Sequence, residues 1–443
     1  MTQKLEDQLD NFNPARRREA LEQLHRLAET GEIELPQPTP RVNLHCHTFF
    51  SFNSYGYSPS KFAWLARKAG LAAAGIVDFD VLDGLEEFHA AGQLLGLKAC
   101  AGLETRVYVP AFADKEMTSP GEPGITYHMG VGFPSADLTA ENAAFLYNLR
   151  KTAQTRNIEL MHRVNRHLHP VTLDYAADVL PLTPAGNATE RHLCAAYARK
   201  ARRLLPNETD LAAFWSDKLS CDVDTQKLAD NVWLLNTIRA RTMKRGGVGY
   251  VQPDGGAFPL MQKTNEFILA AGAIPTLTWL DGTSDGEQDI EKLLDIAMNT
   301  GVAAINTIPD RNFTPGVRTE KLKNLYSIIA LADRLHLPVV IGTEMNSFGQ
   351  KFVDDFDSEE LSPLAPVFLK GAHIVYGHSV LQRLCGLGYT SRWSKNNFSK
   401  PSRNEFFETV GRTLTPANQN TLIQFTPQTS PAKILRKIKS LKK

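Results

Sequence analysis

The chain of 443 residues has little that would staple it together apart from a hydrophobic core. Its five cysteines, Cys46, Cys100, Cys194, Cys221 and Cys385, are widely spaced and form no Cys-x-x-Cys pair. That argues against a disulfide framework and against a structural zinc knuckle. No apolar run approaches the length of a membrane span. The opening stretch, MTQKLEDQLD, is polar and acidic and has no apolar signal core, so a reducing cytoplasm is the expected compartment. Charge of one sign is also lacking: the formal net charge is +1, and no global field directs the chain to nucleic acid or to an acidic surface. A basic, aromatic-interleaved nucleic-acid motif, a P-loop and a GxGxxG fingerprint are absent. A Ser–His–Asp hydrolase is not expected. What is present is an ordinary globular composition, 42% hydrophobic and 22% charged.

The pattern along the chain predicts organisation. Asn13 and Pro14 open a helix whose stripe is Leu21, Leu24 and Leu27, and residues 1–40 form this helix and an extended linker. From Arg41 apolar strands alternate with helices, first over 41–133 and again over 265–390, giving about seven strands. GAHIVYGHSVLQRLCG adds a last strand and helix in this reading. Such alternation predicts a mainly parallel sheet, open or closed as a barrel. Residues 134–264 read instead as helices inserted between the barrel halves, and 391–443 as an extension ending in a basic surface helix.

The chemistry gathers where strands end. In RVNLHCHTFF, His45 and His47 are two apart and share one face of a strand, with Cys46 on the other. The next ends carry Asp78 and Asp80, then Glu104, Trp279, Asn306 and Glu344, with His128 inside the fourth strand. In a parallel barrel these ends build the active site. Imidazole and carboxylate together suit zinc, manganese or iron.

HCHTFFS, GLAAAGIVDFDVLDGLEEFHAAGQLLGLKACAGLE and YHMGVGF resemble the polymerase-and-histidinol-phosphatase (PHP) family, and weaker likeness runs through NATERHLCAAYARK, AAGAIPTLTW and LPVVIGTEMNS. The resemblance implies a distorted (β/α)7 barrel with two or three metal ions and phosphoesterase activity on nucleotides or related small phosphates. It implies His45, His47, Glu104, His128 and Glu344 as metal ligands, with Glu344 where the family usually has aspartate. Four positions depart from the family: Asn53, Phe79, Trp279 and Asn346 stand where ligands are usual. One complete ion site, one impaired and one missing are therefore expected, or one or two divalent ions (zinc, manganese or iron) per chain.

The expected function is a metal-dependent hydrolase, a phosphoesterase acting on a small phosphorylated metabolite or nucleotide. Asp78 or Asp80 would serve as base or orienter for the attacking water. Arg191 and His192, with Arg163 or Arg166, would hold the phosphate, because a guanidinium matches its oxygens bidentately. Two alternatives stay open: a degenerate barrel that binds a metabolite or partner without catalysis, and a metal hydrolase of a non-phosphate bond such as an amide or lactone. No membrane or nucleic-acid partner is expected.

Overall fold

A computed structural model describes residues 2–314 and 319–441. Its centre is a seven-stranded sheet in sequential order. The strands are β1 (Thr39–Cys46), β2 (Leu71–Phe79), β3 (Ala99–Tyr108), β4 (Ile125–Val131), β5 (Ile274–Thr278), β6 (Ala304–Thr307) and β7 (Val339–Ile341). A parallel bridge between Cys46 and Glu344, just past β7, brings the two edges together and nearly closes a distorted α/β barrel. Pairing is parallel except around β4, which runs antiparallel to both β3 and β5. Residues 109–124, with the single turn Pro110–Phe112, connect β3 to β4 without the α-helical crossover that parallel pairing ordinarily uses.

The helices pack outside as the caps predict. Asn13 accepts from the Ala15 N–H and opens Pro14–Glu29, and Ser58 accepts from the Lys61 N–H and opens Pro59–Lys68. Cys46, Ala74, Ile76, Ala101 and Leu103, from the outer faces of β1–β3, bury against Phe62, Trp64, Phe88 and Leu95 of this layer. Helices between β4 and β5 have a core of their own, with Leu160, Val164, Leu193, Tyr197, Trp215 and Ile238 at its centre.

The segment GAHIVYGHSVLQRLCG holds no strand. It lies within one helix, Ala365–Cys385, buried from Phe368 to Leu381 with few gaps. Gly371 and Gly411 explain how it fits. A Cβ at Gly371 would stand 1.8 Å from the Val339 carbonyl oxygen of β7, and one at Gly411 1.8 Å from the His373 carbonyl oxygen. Glycine lets one backbone lie directly on another. A helix buried on all sides is apolar all round, so it lacks the stripe that separates helix from strand.

Candidate metal centre

Register sorts the strand residues by face. Phe79 pairs with Glu104, and Arg106 with Tyr127, so all four share a face, while Leu103 and Thr105 lie on the other. His47 joins the first set: Phe79 stacks on its ring, centroids 4.3 Å apart and 24° from parallel. His45 Nε2 lies 3.5 Å and His47 Nε2 3.1 Å from Glu104 Oε2. Among the described residues these three form the one histidine, cysteine and carboxylate group of metal-binding size, with ligand atoms within 4.8 Å of one another.

Proton bookkeeping shows what this group needs. Ser51 Oγ has one proton and donates it to Asp78 Oδ1 (2.6 Å), so toward His47 Nδ1 (3.3 Å) it can only accept. His47 therefore carries its proton on Nδ1. Asn306 Oδ1 sits 3.2 Å from His45 Nδ1, while its amide nitrogen is spent on the Val340 carbonyl, so His45 is protonated on Nδ1 as well. Both Nε2 atoms are left as bare lone pairs. With Glu104 Oε2 they make three acceptors facing one another, each buried and each without a hydrogen-bond partner. Unpartnered buried polar atoms are costly. A divalent cation satisfies all three at once, and imidazole nitrogen and carboxylate are suitable donors for zinc, manganese or iron. The electrostatics point to the same need for a cation. Burial would lower the His45 pKa, but Glu104 raises it overall; burial would raise that of Glu104, but the imidazoles, when protonated, hold it at about 2, so a proton is the alternative to a metal at this point. The site attracts positive charge.

Other expected ligands lie elsewhere. His128 pairs in register with Thr105, on the face opposite Glu104, and its Nε2 meets Asn265 Oδ1 at 2.6 Å on the helix Met261–Ala270. It packs between sheet and helix and does not join the group. Side chains alternate along a strand, so Tyr127 and Met129 take the inner positions. Burial lowers the His128 pKa to about 4, which keeps it neutral. Glu344 does stand beside the group, but its carboxylate accepts from Gln350 Nε2 (2.9 Å) and lies 3.7 Å from Arg311 Nη1. Its backbone does more. Glu344 N donates to the His45 carbonyl and His47 N to the Glu344 carbonyl, at 2.7 and 2.8 Å. Glu344 and Met345 hold φ near +60° and +55° to make this clasp, a conformation that non-glycine residues adopt only under tertiary constraint.

The four departures from the family pattern have structural roles. Asn53 donates to the His47 carbonyl (2.8 Å) and accepts from the Tyr55 and Tyr57 N–H groups. Phe79 clamps His47, Trp279 is buried in the core, and Asn346 Oδ1 accepts from Ser347 Oγ at 3.5 Å.

Asp78 is not free to act on water. It accepts from the Thr48 N–H, Thr48 Oγ1 and Ser51 Oγ at 2.6–2.7 Å, and it is 2% exposed. Asp80 accepts from Thr105 Oγ1 (2.6 Å) at φ +59°, and burial raises its pKa. Arg191 spans Asn236 Oδ1 (2.5 Å) and Ser347 Oγ (2.7 Å), tying the helical region to the loop after β7. His192 is a capping residue: its Nδ1 accepts from the Thr189 N–H, and burial lowers its pKa to about 4. Arg163 donates to the Gly249 carbonyl (2.9 Å), and Arg166 is exposed on the same helix, Ala140–Leu168. Those two serve the helical region and are not drawn to the histidines.

A different set of cations lies beyond Glu104. Arg106, two residues on and on the same face, donates to Glu122 Oε2 at 2.6 Å, and Arg106 and Arg156 each place a guanidinium 4.3 Å from the Phe258 ring centre. Glu190 gathers Arg239 (3.0 Å) and Lys244 (2.8 Å); burial opposes its ionisation, but these cations hold its pKa at about 2. Tyr127 is in the field of both Glu104 and this cluster. The i+2 position of Arg106 after GLE is a sequence signal; Arg156, Arg239 and Lys244 come together only by folding.

One Gly-x-Ser-x-Gly string, residues 282–286, is present in the sequence. Ser284 there caps the helix Asp285–Gln288, and its hydroxyl donates to Glu287 Oε2 at 3.2 Å. Among the described residues no histidine partners it, and it does not form a nucleophile elbow.

No family model matches the chain, and no curated protein matches it. Similar solved structures include two. One is an amidohydrolase from Chromobacterium violaceum with bound sulfate and no metal: TM-score 0.48, 17% identity, over 70% of this chain and 88% of that one. The other is a provisionally assigned metal-dependent phosphoesterase from Bifidobacterium adolescentis: TM-score 0.46, 18% identity, over 75% of this chain and 98% of that one. Among the described residues no helix is long and apolar enough to cross a membrane.

Proposed function

We propose that the chain is a metal-dependent hydrolase and that its substrate is a small phosphate ester. The observation that carries the metal reading is the meeting of three buried, unpartnered acceptors, His45 Nε2, His47 Nε2 and Glu104 Oε2. A divalent ion held by them supplies Lewis acidity and lowers the pKa of water toward neutrality. The chain's own residues do the rest. Phe79 and the buried strands exclude bulk water from the imidazoles. Arg106, with Arg239 and Lys244 behind it, attracts and orients an anionic group at the mouth, where a guanidinium fits phosphate oxygens in pairs. Asp80, whose pKa burial raises, holds or releases a proton through the oxygen that Thr105 does not engage.

A second reading has its own support. Phe79 and Trp279 fill positions where the resembled family has ligands, which favours a barrel that binds a metabolite without turning it over. The test is reconstitution with zinc, manganese or iron followed by hydrolysis assays on phosphomonoesters, phosphodiesters and lactones. Metal-dependent release of phosphate is expected. Lactone hydrolysis alone would move the reading to a non-phosphate bond, and bound metal with no turnover would favour the non-catalytic barrel.

A further inference from the structure

Asp78 and Ser51 are buried, fully hydrogen-bonded to each other, and not needed as a base or nucleophile by the reading above. We propose that they form a positioning relay that locks His47 in its Nδ1–H tautomer and so turns the Nε2 lone pair toward Glu104; the consequence for metal rests on the metal-centre reading, but the tautomer does not.

The argument is a count of protons. Asp78 lies on the outer face of β2, in register with Leu103, and its two oxygens take three donors from the turn that follows the histidines. Oδ1 accepts from the Thr48 N–H (2.7 Å) and Ser51 Oγ (2.6 Å), and Oδ2 accepts from Thr48 Oγ1 (2.7 Å). The Ser51 hydroxyl is thereby spent on a carboxylate, the strongest acceptor nearby. Its lone pairs face His47 Nδ1 at 3.3 Å, so that nitrogen must donate. Thr48, Ser51 and Asp78 are 0%, 0% and 2% exposed, so no bulk water competes for these protons. Phe79, the neighbour of Asp78 on the opposite face, stacks on the same ring and fixes its plane. One dipeptide therefore sets both the ring's orientation, through Phe79, and its protonation, through Asp78. Partners of this kind on the far nitrogen govern how well an imidazole ligates.

The relay can be inverted. Asp78→Asn would not do it, because the Thr48 N–H holds an amide oxygen in the Oδ1 place and Ser51 keeps its acceptor. Asp78→Ala removes the acceptor and leaves the Ser51 hydroxyl with His47 Nδ1 as its other partner. Ser51 then turns its own proton to His47 Nδ1, and the Nε2–H tautomer becomes the stable one. Ser51→Ala removes the acceptor without supplying a donor, so it should release the preference without reversing it. Ser51→Thr keeps the hydroxyl and should restore the parent behaviour.

Nitrogen-15 NMR of the histidine rings in the metal-free full chain reads the tautomer. Zinc titration by competition with a chromophoric chelator reads the consequence. The parent and Ser51→Thr should show Nδ1–H on His47. Asp78→Ala should show Nε2–H, with zinc affinity lower by roughly 10–100-fold, and Ser51→Ala a mixture with a smaller loss. His45, held separately by Asn306, should keep its Nδ1–H signal throughout. A parent His47 protonated on Nε2, or an unchanged tautomer in both Asp78→Ala and Ser51→Ala, would overturn the relay. Should Asp78→Ala fail to fold, Ser51→Ala against Ser51→Thr decides. A parent with the expected tautomer and no zinc binding would leave the relay standing and sink the metal reading instead.

Discussion

Replacing Glu104 with glutamine changes one oxygen to an NH2 group at the point where three acceptors meet. In the parent, Glu104 Oε2 lies 3.1 and 3.5 Å from two bare imidazole nitrogens. The glutamine Nε2 in that place donates to one or both of them. The metal-free variant should therefore be more stable than the parent by about one net hydrogen bond, on the order of 0.5–1.5 kcal/mol. Its metal response should vanish, because the three-ligand group loses its one anion and gains a donor that points at the other two ligands. The parent, at zinc a hundredfold above its dissociation constant, should gain about 2.7 kcal/mol. For a chain of 443 residues the unfolding entropy is large, about 2 cal/mol/K per residue, so 1 kcal/mol moves Tm by roughly 1 °C. Thermal unfolding in chelator and then in excess zinc should show the parent rising by about 3 °C and Glu104→Gln by nothing, with the chelated variant about 1 °C above the chelated parent. A variant less stable than the parent in chelator would mean that Glu104 already has a donor, and the three-acceptor argument would fall.

Further expectations are open to direct measurement. Elemental analysis after reconstitution should give one or two ions per chain; three tightly held ions would contradict the structural roles of Asn53, Phe79 and Asn346. Arg106→Met should raise KM for a phosphorylated substrate at least tenfold, while Arg166→Met changes it little, and equal effects would discredit the mouth assigned here. Asp354 is pushed up to about 8, mainly by burial and secondarily by Asp310. The folded chain thus keeps a proton that the unfolded chain releases near pH 4, and this contribution is lost as pH rises toward 8, at up to about 1.4 kcal/mol per pH unit. Asp354→Asn should therefore gain on the parent between pH 5 and 8 in urea unfolding, and a constant difference would refute it. Burial also lowers the pKa of His89 to about 3 and of His128, His192, His373 and His378 to about 4, with nearby cations adding to the effect at His89 and His373. Below pH 6.5 the unfolded chain binds protons that the folded one refuses, so stability present at pH 7 should fall steeply as pH drops toward 4. A flat Tm between pH 7 and 5 would be the contrary result.

The sequence by itself determined the features that local rules control. Period-two alternation set His45 and His47 on one face, as the shared approach to Glu104 shows. Caps at Asn13 and Ser58, and apolar runs broken by helices, placed the strands and the helical layer. Glu104 at a strand end was legible for the same reason. Tertiary structure alone decided the rest. Whether His128 faces in or out depends on the register of β4 against β3, and a shift of one residue reverses every side chain. The buried helix Ala365–Cys385 reads as strand and helix because full burial erases periodicity. Asp78 looked like a base because a carboxylate beside histidines is a sequence fact, while its three donors come from a turn thirty residues earlier that only folding brings within 2.7 Å. Arg106, Arg156, Arg239 and Lys244 are scattered over the chain; the fold brings them together against their mutual repulsion, with Glu122 and Glu190 offsetting it, where no spacing rule could point. Pattern fixes which residues share a face; which way that face turns, and what it meets there, is settled by packing between segments distant in sequence.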